Sequence, residues 1–136
     1  PMNKNTYTLA KLVRDKSILN MEAKGVDVKW HTLPPQEKLE HYIKKLEEET
    51  LEVNQALLEN DAKEVCEELA DLQELICAIA QSMDIPMADV EASRQGKIDR
   101  RGGFSKGIFI ETVSCPEKSF YDAYFAKNPV KYQPLK

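Results

Sequence analysis

Two long stretches of helical apolar spacing stand back to back with only Asn60-Asp61 between them. In the first, from about residue 36 to 59, Leu39, Tyr42, Ile43, Leu46, Val53 and Leu57 recur at helical intervals. In the second, from about 62 to 83, Val65, Leu69, Leu72, Ile76, Ile79 and Met83 do the same. Each pattern gives a helix one apolar face. A turn this short lets the two helices cover those faces by folding back as an antiparallel hairpin. Pro34-Pro35 suits the first turn of the leading helix, where a missing N–H costs nothing. The expected fold class is all-α, a helical bundle built on this hairpin.

The flanking segments are read around that pair. Residues 9–24, LAKLVRDKSILNMEAK, are expected to form a short helix ending at Gly25. Val26, Val28 and Trp30 alternate, which suits a small strand or an edge over the core. Pro86 breaks the second long helix. A third is expected over 88–98, ending at the basic turn RRGG, and GIFIETV after it reads as extended or irregular. Residues 117–127 suit one amphipathic helix. The expected division is a domain over 1–111 and a C-terminal extension over 112–136, packed on the core or on a partner subunit.

Composition narrows the class. The chain is 42% hydrophobic and 31% charged, a balance that supports a packed core and argues against disorder. No apolar run approaches the ~20 residues a membrane span needs. The first residues are polar, without the apolar segment of a signal peptide. Three cysteines with no CxxC pair argue against a disulfide framework and suit a reducing cytoplasm. Cys66 and Cys77 fall within the apolar helical pattern and are expected to be packed side chains.

The net charge of −4 conceals an asymmetry. Between Glu47 and Glu74 stand eleven acids and a single base, Lys63. Like charges four apart weaken a helix, so this density calls for compensation. Within it, Glu48-Glu49-x-x-Glu52 and Glu68-x-x-Asp71 each place two carboxylates at one helix level. At about 100° per residue, Glu49 and Glu52 lie roughly 60° and 120° to one side of the apolar face of their helix, and Glu68 and Asp71 about 50° and 110° from theirs. Glu49 and Asp71 lie equally far on either side of Asn60, and so do Glu52 and Glu68. An antiparallel hairpin therefore gathers all four at one height.

Four carboxylates so close repel one another and raise their own pKa values, and a bound cation relieves this. All-oxygen ligands favour Mg2+, with Mn2+ as a possible substitute, over zinc. Magnesium held by few carboxylates keeps sites for substrate phosphates, which points to phosphoryl or pyrophosphoryl cleavage. A di-iron bundle would need a Glu-x-x-His motif, and neither His31 nor His41 follows a Glu by three. Positive partners for a polyphosphate are available in Lys11, Arg14 and Lys16, where Lys11 and Arg14 would share a helix face. A second set comprises Arg94, Lys97, Arg100, Arg101 and Lys106 beside Gly102-Gly103, whose backbone N–H groups are candidates to meet an anion, the alternative being an ordinary helix C-cap. The negative overall charge and the absence of a known motif argue against nucleic-acid binding. The aromatic tail suits packing better than base stacking.

Three blocks now stand in order: KLVRDK, then EETLE followed fifteen residues later by ELAD, then RRGGFSKGIFIE. In this the chain resembles the MazG-like all-α nucleoside triphosphate pyrophosphohydrolases, and most of all the small house-cleaning members related to phosphoribosyl-ATP pyrophosphohydrolase. The resemblance covers about residues 9–111. It implies magnesium held by Glu49, Glu52, Glu68 and Asp71, and cleavage between the α- and β-phosphates to give a monophosphate and pyrophosphate. It also implies a catalytic part for Glu49, and for Glu48 in ordering the attacking water or meeting a further metal. Assembly as a homodimer or homotetramer follows from it as well. Ser17-Ile18 depart from the Ile-Pro that often continues KLVRDK, and the tail beyond Glu111 has no counterpart. Two other readings stay open: phosphoribosyl-ATP pyrophosphohydrolase proper, of histidine synthesis, and a non-catalytic acidic helical module.

Overall fold

The structure is a computed structural model that describes residues 3–135. It is all-α: among the described residues there are five helices and no strand. They are α1 (Ser17–Glu22), α2 (Pro35–Glu59), α3 (Ala62–Ser82), α4 (Met87–Arg101) and α5 (Phe120–Ala126). The chain divides into two compact units, residues 1–95 and 96–136, with α4 running through the boundary. No helix among the described residues is long and apolar enough to cross a membrane.

In the first unit α2 and α3 pack along each other as a hairpin. Local chemistry fixes its ends. Pro34 and Pro35 open α2. Asn60 closes it in the left-handed conformation, φ 55°, which asparagine tolerates better than most residues. The next residue already starts α3: the Asp61 carboxylate accepts from the backbone N–H groups of Lys63 and Glu64, satisfying two donors that the helix leaves open. One reversal therefore uses two residues, each doing the capping its side chain favours.

The seam between these helices differs from the stripe of largest apolar residues. Its most buried side chains are Glu49 and Ala56 on α2 and Leu75 and Ala80 on α3. Tyr42, Leu46 and Val53 on α2, and Val65, Glu68, Leu72 and Ile79 on α3, are half-buried. These positions repeat about every 3.5 residues, the period that keeps one face toward a neighbouring helix. Glu49 and Glu68 thus sit in the seam and not beside it. Leu39, Ile43, Leu57, Leu69 and Ile76 are left largely exposed. Cys66, expected as packed, is exposed, because it lies off the seam formed by Val65 and Glu68; Cys77 is half-buried.

Two further sequence expectations need correction. The helix expected over 9–24 is confined to α1, and residues 9–16 run without helix. Ala10 adopts φ 48°, which no right-handed helix contains, and Lys11 and Arg14 reach acids on α2 and α3 instead of stacking on a shared face. The alternation at Val26, Val28 and Trp30 makes no strand. Lys4 ties that stretch down through Gly25 O at 3.0 Å and Asp27 at 2.8 Å.

In the second unit, α4 ends at Gly102, whose φ of 77° continues no right-handed helix. Arg100 and Arg101 fill the last turn, where cations suit the negative end of the helix dipole. Ser119 caps α5 by accepting from Asp122 N–H, and Asp122 in turn accepts from Lys118 N–H. Phe120, Tyr121, Tyr124, Phe125 and Tyr132 cluster edge to face and stacked, with centroids 5.0 to 6.4 Å apart.

Candidate metal centre

Because Asn60-Asp61 is so short, positions equally far from it meet across the hairpin. Glu49 and Glu52 come from α2, Glu68 and Asp71 from α3, and one carboxylate oxygen of each lies within 4.8 Å of the others. Glu49 is only 6% exposed. Glu68 and Asp71 are half-buried and Glu52 is exposed, so the cluster opens to solvent on one side.

The electrostatics record the crowding. Burial of Glu49 raises its pKa first, and the nearby charge of Glu52 adds to it. The Glu68 carboxyl is pushed up to about 7, first by its side-chain bond with Glu52, then by desolvation, then by the charges of Glu52, Asp71 and Glu49. Two of the carboxylate oxygens, Glu49 Oε2 and Glu68 Oε2, are buried with no hydrogen-bond partner among the described groups. An ionised oxygen in that position is costly unless a cation or donor meets it. Hard oxygen donors from four convergent carboxylates, two of them unsatisfied, fit a divalent metal ion.

Cations stand at the rim. Arg14 Nη2 donates to Asp71 Oδ1 at 2.6 Å, and Lys11 Nζ to Glu48 Oε1 at 3.1 Å. Lys45 donates to Glu48 Oε2 at 3.2 Å and lies 3.7 Å from Glu49 Oε1. Both oxygens of Glu48 are therefore engaged by lysines, and the bond from Lys11 is the largest cause holding its pKa below the ordinary value. Glu48 stands outside the group of four. Lys45 was not legible as a site residue on composition alone. The available signal was its spacing, three before Glu48 and four before Glu49 on one helix.

The other basic candidates take part in none of these contacts. Lys16 precedes α1 at its N-cap and forms no ion pair among the described residues. Lys97, Arg100, Arg101, Gly102 and Gly103 belong to the second unit. There Gly102 serves as the helix C-cap, and space beside Gly102 and Gly103 is open. Arg94 is paired with Glu91 on its own helix, at 2.6 Å.

Against known families, residues 24–97 match the model described as phosphoribosyl-ATP pyrophosphohydrolase. That stretch holds α2, α3 and all four clustered acids; KLVRDK lies before it and RRGG after it. No curated protein and no solved structure matches the chain. With the matched segment spanning more than half of the sequence and carrying both acidic motifs, the chain belongs to the phosphoribosyl-ATP pyrophosphohydrolase family, within the MazG-like all-α superfamily of nucleoside triphosphate pyrophosphohydrolases.

Proposed function

We propose that this protein hydrolyses a nucleoside triphosphate, canonical or damaged, between the α- and β-phosphates, releasing a monophosphate and pyrophosphate with Mg2+ as its ion. The observation that carries this reading is the group of four carboxylates, two with unsatisfied buried oxygens, set beside a lysine and arginine rim.

In this reading Glu49, Glu52, Glu68 and Asp71 hold the ion, and Mn2+ is an acceptable replacement. When bound, the ion supplies charge neutralisation at the phosphates and makes nearby water a better nucleophile. The chain does the rest. Glu49, buried and raised in pKa, is the carboxylate best placed to take a proton from the attacking water. Glu48 stays ionised and fixes Lys11 and Lys45; ordering a water through it requires one of these bonds to open. Lys11, Arg14 and Lys16 supply charge for the phosphates. The half-exposed leucines and isoleucines of the hairpin favour a homodimer or homotetramer.

The test is pyrophosphate release from a panel of nucleotides with magnesium. Folded protein inactive on every member rejects the proposal. The family match also favours phosphoribosyl-ATP itself as substrate. The chemistry would be the same, and direct competition between phosphoribosyl-ATP and deoxynucleoside triphosphates separates the two.

A further inference from the structure

Compensation of the acidic cluster is uneven. At its rim, Arg14 holds Asp71 and Lys11 holds Glu48, so the non-helical segment before α1 is tied to both helices of the hairpin. These ties are open to water: the side chains are 62% exposed for Arg14, 41% for Asp71, 45% for Lys11 and 32% for Glu48. Exposed ion pairs are weak and exchange readily. At the centre, Glu49 Oε2 and Glu68 Oε2 have no hydrogen-bond partner among the described residues, and the Glu49 side chain is only 8% exposed. The guanidinium thus neutralises the cluster at its edge, where it is least needed.

Resting on the metal reading above, we propose that residues 11–14 form an electrostatic latch. Arg14 stands in at Asp71 for part of the charge of a divalent ion, gives way when the ion occupies the cluster, and then takes a terminal phosphate oxygen of the incoming polyphosphate. The physical reason is competition. A guanidinium and a divalent ion beside one carboxylate repel each other, so each weakens the other's hold. A phosphate resolves the conflict, since it accepts two parallel bonds from the released fork. Coupling of this kind is reciprocal: ion and anion each tighten the other's binding.

The experiment is calorimetric and needs no turnover. Mg2+ alone is titrated into the wild type, Arg14→Gln and Arg14→Lys. A triphosphate bridged by methylene between its α- and β-phosphates is then titrated at saturating Mg2+. Arg14→Gln should bind Mg2+ about two- to fivefold more tightly, the scale of one exposed ion pair, with the gain shrinking as salt rises. It should bind the triphosphate about tenfold more weakly, with Arg14→Lys recovering part of that loss. Lys11→Gln should shift both affinities in the same directions by less. Weaker or unchanged Mg2+ binding in Arg14→Gln overturns the latch and makes Arg14 a prop for Asp71. A wild type that releases pyrophosphate while showing that result loses the latch alone. A wild type that binds no Mg2+ loses the latch and the metal reading together.

Discussion

Glu49 lies 3.7 Å from Lys45, beyond hydrogen-bond reach, and its second oxygen has no hydrogen-bond partner among the described residues. Such a carboxylate carries a structural cost that a bound cation would relieve. Replacing Glu49 by Gln, or Asp71 by Asn, should lower turnover more than about a hundredfold while the circular dichroism spectrum stays unchanged. Activity retained in both variants would exclude the centre. Glu68 allows a test by pH. Its carboxyl titrates at about 7 in the fold against an ordinary 4.5, so the folded state binds this proton more tightly than the unfolded chain does. The stability it contributes is fully present below about 4.5 and is lost as pH rises through about 7. Metal-free wild type should therefore gain melting temperature relative to Glu68→Gln as the pH is lowered from about 7.5 to about 5. A difference between the two proteins that stays flat with pH contradicts the assignment. Lys45→Met should destabilise the protein by about 1–2 kcal/mol in denaturant unfolding, because it strips Glu48 and Glu49 of a partly buried partner.

At the scale of elements, the hairpin turn sets the register of the four acids. Asn60 and Asp61 place Glu49 opposite Asp71 and Glu52 opposite Glu68, so one inserted residue would move every pair out of level. Asp61→Ala removes the N-cap of α3 and should cost about 1 kcal/mol, read as a lower denaturant midpoint at unchanged slope. Magnesium affinity should hardly move at a temperature where the variant is folded, since the register itself is intact. The boundaries of the long helices were legible for a simple reason: proline, asparagine and aspartate act locally at the caps, and apolar spacing repeats many times. Of the helix expected over residues 9–24, the part over 9–16 failed for the complementary reason. Lys11 and Arg14 are held by partners tens of positions away, and local periodicity contains no information about such partners. Cys66 failed similarly, because the apolar pattern did not reveal which of its edges faces α3's neighbour.

For the molecule as a whole, the first unit buries little. Among the described residues only Ala56, Leu75 and Ala80 are buried apolar side chains, while Leu39, Ile43, Leu69 and Ile76 are 41 to 57% exposed. Within that unit, among the described residues, no helix besides α2 and α3 packs alongside another. Apolar surface on that scale is usually covered by a partner. Sedimentation velocity should therefore give a mass above the 15.5 kDa of one chain, and Leu69→Glu with Ile76→Glu should reduce it to one chain. A wild type that sediments as a single chain removes assembly from the reading. The sequence by itself determined the elements that rest on neighbours in the chain: the all-α class, the two-residue turn, and the level at which four acids face one another. Only the tertiary structure decided that Glu49 is buried in the seam, that Lys11 reaches Glu48, and that Arg14 spans to Asp71. Those features depend on helix rotation and on contacts between distant residues, whose energies appear only once the chain has folded back on itself.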